Sequence, residues 1–181
     1  MEPSVNGTNV VLSRRVMESL VGADVVARAI ASLPREVTEA YENVGVGWVP
    51  VPVVDAATHA IARQSGWTAE RLVRESARQS VETLLRGLWR VMLRFTSDEA
   101  LMARTPLLYS KTFNAGRLES RFENARHADV TQSGWPGISD LQLLGLATGI
   151  ETVLRCAGRI DAKVIWKRTP TGASFTATWS R

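Results

Sequence analysis

The chain has 181 residues, of which 45% are apolar and 22% are charged, proportions that are ordinary for a water-soluble globular protein. Its formal net charge is +4, but the 22 basic residues are spread along the sequence without a basic run, which argues against nucleic acid as the partner. A single cysteine, Cys156, excludes an internal disulfide, and no apolar run approaches the roughly 18 residues of a membrane span. The first residues lack the features of a signal peptide, so we expect a cytoplasmic protein.

The first third of the sequence predicts short helices. Residues 1–8 are polar and are expected to form a flexible tail, followed by a single domain over residues 9–181. Gly22 and Pro34 separate the amphipathic segments that follow the tail. Residues 45–54, GVGWVPVPVV, contain two glycines and two prolines, which predicts an extended connector before the next helix.

Residues 68–95, TAERLVRESARQSVETLLRGLWRVMLRF, predict one long central helix. Thr68 can cap its first turn, and apolar residues then recur at steps of three or four along one face. This pattern predicts the following inward-facing side chains: Val73, Ala77, Val81, Leu84, Leu88, Met92 and Phe95. A second, shorter helix is expected to begin at a capping box formed by Thr96 and Glu99.

The last third of the sequence predicts a sheet. Residues alternate between apolar and polar over segments 117–124, 160–166 and 173–179, and more weakly over 126–133. Between the second and third of the four predicted strands, Ser139 or Asp140 opens a strong helix that Gly158 ends. Because each strand is apolar on one face only, we predict an antiparallel sheet with one face packed on helices. The fold class is therefore α+β, with a helical N-terminal half and then a β-β-α-β-β order.

This order of elements resembles that of one known family. The matching stretches are residues 80–88 (SVETLLRGL), 113–116 (FNAG), 145–158 and 175–179. They are similar to a family of myxobacterial paralogues of unknown function, whose fold is similar to the haem-NO-binding, 4-vinyl-reductase and TRAPP-type domains. The resemblance implies a domain used for sensing, small-ligand binding or protein association, without hydrolytic chemistry.

The haem function of that group is not implied for this chain. The haem-binding relatives use an axial histidine and a Tyr-x-Ser-x-Arg motif, whereas this sequence has Tyr109-Ser110-Lys111. The two histidines are far apart in the sequence: His59 is expected at the surface or at the edge of the core, and His127 is expected to form a solvated pair with Asp129 on the outer face of a strand. No cofactor is therefore expected.

Catalytic and metal-binding motifs are also missing from the sequence. One cysteine and two separated histidines give no zinc-binding spacing. There is no G-x-S-x-G nucleophile motif and no phosphate-binding loop. Cys156 lies among apolar residues and is expected to be a small buried side chain rather than a nucleophile or an acylation site. We therefore expect no enzyme, no catalytic residue and no metal site.

Aromatic residues are the remaining candidates for binding. Large aromatic side chains often line ligand pockets or anchor interfaces. The candidate ligand or partner contacts are Trp89, Tyr109, Trp48 and Trp135. Packing in the core is the alternative role for Trp89, and covering the edge of the core is the alternative for Trp48 and Trp135.

The sequence thus favours a non-enzymatic sensory or regulatory domain. It would bind a partner protein, with a homodimer as one form, or a small apolar ligand beside the long helix. The alternatives from other classes are a haem- or NO-type gas sensor and a basic nucleic-acid-associated regulator.

Overall fold

The computed structural model describes residues 2–43, 47–124 and 126–180, without the side chains of residues 88–90. Its elements, in chain order, are β1 (Ser4–Asn6), α1 (Gly7–Val21), α2 (Ala23–Ala31), α3 (Arg35–Glu42), β2 (Trp48–Pro50), α4 (Val51–Ser65), α5 (Ala69–Leu84), α6 (Leu88–Arg94), α7 (Asp98–Met102), α8 (Thr105–Thr112), β3 (Arg117–Asn124), β4 (His127–Ser133), α9 (Asp140–Cys156), β5 (Ile160–Thr169) and β6 (Gly172–Ser180). The predicted α+β class and the β-β-α-β-β order are confirmed.

The chain divides into two compact units. The first contains the residues up to Ser80 together with Thr112–Ala115, and the second contains Val81–Lys111 and the residues from Gly116 onward. The expectation of one domain over residues 9–181 stays a prediction.

The first unit is mainly helical. Its two short strands, β1 and β2, pair antiparallel with Val5 opposite Val49. The side chain of Asn6 caps α1 by accepting a hydrogen bond from the Thr8 N–H at 2.9 Å. Residues 4–8 therefore have regular structure, where the sequence predicted a loose tail.

The prediction of one helix over residues 68–95 is wrong. The helix begins as predicted, since the Thr68 hydroxyl accepts a hydrogen bond from the Arg71 N–H at 3.2 Å. However, α5 ends at Leu84, and α6 begins only after Gly87, whose φ of +69° is outside the helical range. A new helix with its own apolar residues follows the break, which is why the sequence pattern seemed continuous.

The inward-facing residues predicted for this segment are wrong in part: Val73, Ala77 and Val81 are half-buried, and the side chain of Leu88 is outside the described residues. The buried side chains of α5 are Ala69, Leu72 and Ser76, which lie on a different face from the predicted one. Three residues expected to face inward are exposed at their side chains: Leu84, Met92 and Phe95.

The second unit contains a four-stranded antiparallel sheet. The strand order is β3-β4-β6-β5, so the two β-hairpins pair through β4 and β6. The alternation predicted for β6 is confirmed, because all four of its inward side chains are buried: Ala173, Phe175, Ala177 and Trp179. On β5, Ala162 is buried as predicted, whereas Ile160 is 56% exposed near the irregular start of that strand.

Helix α9 is attached to the edge strand β5 by two side chains. The Glu151 carboxylate accepts a hydrogen bond from the Val164 N–H at 3.3 Å, and Arg155 donates one to the Ala162 carbonyl at 3.2 Å. Glu151 and Arg155 also form an ion pair of 2.7 Å. The backbone groups on the outer side of an edge strand have no neighbouring strand to bond to, so they are available to side chains of α9. These contacts fix the position of the C-terminal end of α9.

No helix among residues 2–43, 47–124 and 126–180 has both the length and the apolar character needed to cross a membrane.

Candidate functional site

An arginine whose side chain is mostly shielded from solvent follows the end of α9. Gly158 has a φ of +84°, and the Arg159 N–H donates a hydrogen bond to the Leu154 carbonyl at 3.0 Å. This is the geometry in which a glycine in the left-handed region ends a helix, as the sequence predicted for Gly158. The reversal of the chain places the Arg159 side chain against α7.

Arg159 is held by three groups from two parts of the unit. Its guanidinium donates to the Asp98 carboxylate at 2.6 Å, to the Thr96 carbonyl at 2.6 Å and to the Ala157 carbonyl. The Arg159 and Asp98 side chains are only 12% and 6% exposed. An ion pair of this burial is sensitive to the loss of either partner.

Asp98 is also the first residue of α7. The cap of this helix is Ser97, whose hydroxyl accepts a hydrogen bond from the Ala100 N–H at 3.2 Å. The predicted capping box of Thr96 and Glu99 is therefore wrong, because the Thr96 hydroxyl instead donates to the Met92 carbonyl at 3.0 Å. The cap is Ser97 rather than the predicted Thr96, so Asp98 is the first residue of α7, and its carboxylate contacts Arg159.

The Arg159–Asp98 pair forms part of the wall of a cleft of about 1010 Å³ in the second unit. Its other lining residues belong to segment 94–99, to Phe122 on β3 and to residues 157–158. Phe122 is also near Trp179, with 6.5 Å between the ring centroids. We call this feature the Arg159 cleft. The cleft offers the aromatic side chains of Phe95 and Phe122 and the paired charges of Arg159 and Asp98 for non-covalent binding.

A second polar cluster lies inside the same unit. Gln132, on β4, is fully buried and donates a hydrogen bond to the Tyr109 hydroxyl at 3.3 Å. Gly116 approaches both side chains so closely that a Cβ atom there would lie 2.6 Å from Gln132 Nε2 and 2.9 Å from the Tyr109 oxygen. The cluster joins α8 to the sheet.

Comparison with solved structures gives the fold of this chain. The H-NOX protein from K. algicida, in its Fe(II) unliganded form, superposes with a TM-score of 0.69 at 10% identity, over 97% of each chain. A mutant of the T. tengcongensis H-NOX gives a TM-score of 0.64 at 15% identity, over 97% of this chain and 98% of that one. An oxygen-binding H-NOX domain related to soluble guanylate cyclases, in its oxygen complex, gives 0.63 at 14% identity, over 97% and 95%.

The chain has the H-NOX fold. A scan against protein-family models and a search of curated proteins each found no match. The expected similarity in fold to the haem-NO-binding domains is confirmed, and membership of the myxobacterial paralogues stays a prediction.

The histidines of this chain do not fit a haem. A haem iron is commonly held by an axial histidine, and that side chain must point into the pocket that encloses the porphyrin. His59 is exposed on α4, next to the buried residues Thr58 and Ala60. His127 lies on the outer face of the sheet, where its ring is 3.3 Å from the Asp129 carboxylate. Neither ring therefore faces the buried side of its element.

Cysteine and carboxylate side chains are the other groups that could bind a metal ion. Cys156 is buried in α9, as the sequence predicted. Within the described ranges, no group of three or more histidine, cysteine, aspartate or glutamate side chains is arranged to hold a metal ion.

The four aromatic candidates are in different environments. Tyr109 and Trp135 lie in the second unit and are buried, with 3% and 6% exposure. Trp48 lies on β2 in the first unit and is 45% exposed. Trp89 is in α6, but its side chain is outside the described residues. The binding roles of all four stay predictions.

Sequence reasoning missed Arg159, Asp98 and Gln132. Gly158 was a usable signal, because the residue after a helix-ending glycine starts a new chain direction. Nothing in the sequence indicates that Arg159 would meet an aspartate 61 residues earlier.

The two tyrosines of the chain are expected to ionise at a higher pH in the folded protein than in the unfolded chain. Burial raises the pKa of Tyr109 to about 12 against a lowering contribution from its hydrogen bond with Gln132, and burial raises the pKa of Tyr41 to about 12 as well. The neutral phenol is thus favoured in the folded state, whereas an unfolded tyrosine ionises near 10. The stability due to these groups is complete below pH 10 and is lost as the pH rises toward 12.

Absorbance at 295 nm, followed during an alkaline titration, checks this expectation. The folded protein should show no phenolate near pH 10, and the same chain in denaturant should titrate there. Ionisation of either tyrosine near pH 10 in the folded protein would contradict the burial of its hydroxyl.

Proposed function

We propose that this protein is a non-enzymatic sensory domain of the H-NOX fold. The observation that carries the proposal is the extent of the structural match, which includes 97% of this chain and about the same share of the H-NOX chains. A match of this extent supports the proposal because nearly the whole chain shares the fold of those domains.

The input of this sensor, in our proposal, is a small apolar ligand or a partner protein and not a haem held by histidine. The exposure of His59 and the position of His127 beside Asp129 support the proposal that no histidine holds a haem. The proposal of a small ligand is supported by the Arg159 cleft, whose volume of about 1010 Å³ is large enough for a small molecule, since such sites typically span about 300–1,000 Å³.

A haem-based gas sensor is the second candidate. It is favoured by the structural neighbours, which are described as an Fe(II) form, as an oxygen complex and as proteins with a distorted haem. On the structural comparison alone this candidate would come first. The positions of the two histidines are the reason for placing it second.

Absorption spectroscopy separates the two candidates. The protein is expressed with a haem precursor supplied, purified, and its Soret band compared with its protein absorbance. We expect no stoichiometric Soret band. As a second arm, His59→Ala and His127→Ala variants are prepared in the same way.

A stoichiometric band that disappears in either variant would make the haem sensor correct and our first candidate wrong. A stoichiometric band that persists in both variants would also contradict a haem-free input, and would show that another side chain holds the iron. Weak, sub-stoichiometric absorbance that washes away on a column agrees with our proposal.

A further inference from the structure

Helix α6 has an unusual exposed face. Val91 and Met92 of α6 are 53% and 51% exposed, and Phe95, the residue that caps its C-terminal end, is 86% exposed, whereas Leu93 is 7% exposed. At about 100° per residue, the three exposed residues lie within an arc of about 100°, and Leu93 lies roughly 150° from the centre of that arc. Leu93 therefore anchors the helix to the protein while an apolar face points into solvent. We call Val91, Met92 and Phe95 the α6 surface.

This face lies in an arginine-rich segment that is bounded by Glu82 on one side and by Asp98 and Glu99 on the other. Residues 83–97 contain three arginines (Arg86, Arg90 and Arg94) and no aspartate or glutamate. Arg86 and Arg94 are exposed, and no ion pair of theirs is found among the described residues. On the helix, Arg94 is adjacent to Val91, about 60° outside the apolar arc. The α6 surface thus combines apolar side chains with flanking positive charge.

We propose that the α6 surface binds the surface of an anionic membrane. Helices that lie in the interface of a bilayer place phenylalanine, leucine and tryptophan on one face and arginine or lysine beside it. Phe95 and Met92 would enter the boundary between headgroups and acyl chains, and Arg86 and Arg94 would face the phosphates. The contact is peripheral, which agrees with the absence of a spanning helix from the described ranges.

Two other occupants fit this surface less well. A second copy of the chain, related by a two-fold axis, would bring the same arginines together, and like charges repel. A partner protein needs about 800 Å² of surface on each side, whereas α6 has seven residues and is about 10 Å long. A lipid surface adapts to a short helix and has no minimum area.

Co-sedimentation with vesicles tests the proposal on the full chain. The probes are vesicles of neutral phosphatidylcholine and vesicles in which about a third of the lipid is anionic phosphatidylglycerol. We expect binding to the anionic vesicles only, and weaker binding at high salt. Phe95→Ser should weaken binding at least about ten-fold, from the loss of its apolar burial. Arg94→Gln should weaken it about five-fold, as expected for one basic residue near an anionic surface.

Matched controls use equivalent residues on the sheet. Ile165 is an apolar side chain that is 54% exposed on β5, and Lys163 is an exposed cation on the same strand. Ile165→Ser and Lys163→Gln should bind anionic vesicles as the unaltered protein does. All four changes affect exposed residues, and an unchanged thermal midpoint confirms folding.

Three results would overturn the proposal: no binding to anionic vesicles, equal binding to neutral ones, or the same loss in the control variants as in Phe95→Ser. A dimer in size-exclusion chromatography that is lost in Phe95→Ser would also overturn it, because the α6 surface would then be occupied by a second copy. Arg94 and Phe95 also line the Arg159 cleft, but none of these outcomes depends on haem, so the Soret test of the sensory proposal is separate.

Discussion

Replacement of Arg159 by alanine is expected to lower the free energy of unfolding by about 3 kcal/mol or more. The change would leave the Asp98 carboxylate, whose side chain is 6% exposed, without the guanidinium that neutralises it. The Thr96 and Ala157 carbonyls would each lose a charged donor at the same time. Most of the cost comes from keeping a negative charge in a place that water reaches poorly.

Arg168→Ala is the matched control. Arg168 also bridges a carboxylate and a carbonyl, those of Asp140 and Ile138, but the charged side chains are 44% and 72% exposed. An ion pair in such an environment contributes at most about 1 kcal/mol. Chemical denaturation of both variants measures the difference. Equal losses, or a loss below 1 kcal/mol in Arg159→Ala, would mean that the Arg159–Asp98 pair is as well solvated as the exposed one.

The C-terminal half of the fold was predictable because its signals are local. Alternating apolar residues define a strand within a few positions, and a turn between two such runs joins them into a hairpin. Ser139 at the start of α9 accepts a hydrogen bond from the Gln142 N–H, and Gly158 at its end donates one to the Arg155 carbonyl, so each acts on a backbone group three residues away. The sheet could be predicted from these signals, although its strand order could not.

The prediction of one central helix was wrong for a related reason. Apolar residues on both sides of Gly87 keep the helical spacing, so periodicity alone does not show that the chain turns between Leu84 and Leu88. The spacing also does not say which apolar side is buried. On α6, Leu93 packs inward while Met92 and Phe95 remain exposed, and only the tertiary structure decides between the two sides.

The candidate site depends on long-range contacts and so lay mostly beyond prediction. The pairing of Arg159 with Asp98 and that of Gln132 with Tyr109 join residues that are 61 and 23 positions apart. The aromatic candidates were chosen by residue type, which does not distinguish the buried Tyr109 and Trp135 from the exposed Trp48. By contrast, His59 is exposed and His127 pairs with Asp129, and both observations agree with what the sequence predicts.

Replacement of Gly116 by alanine is expected to destabilise the protein by about 2–4 kcal/mol. Gly116 has a φ of +71°, a conformation that costs a non-glycine residue about 1 kcal/mol or more. A Cβ atom would in addition lie 2.8 Å from the Ser133 carbonyl oxygen and within 3 Å of polar atoms of Gln132 and Tyr109. Since the carbonyl belongs to the backbone of β4, it cannot move aside, and overpacking of this kind typically costs 1–3 kcal/mol.

Gly66→Ala separates these two contributions. Gly66 has nearly the same φ, +74°, but a Cβ atom there would have nothing within 4 Å. It should therefore show the conformational cost alone, about 1 kcal/mol, and the difference between the two variants measures the contact with the Tyr109–Gln132 cluster. In Gly116→Ala the displaced Tyr109 hydroxyl should also become more accessible, so its ionisation should move from about 12 toward 10. Two results together would contradict this expectation: an equal loss of stability in both variants and an unchanged titration of Tyr109. They would mean that a Cβ atom at position 116 does not disturb the Tyr109–Gln132 cluster.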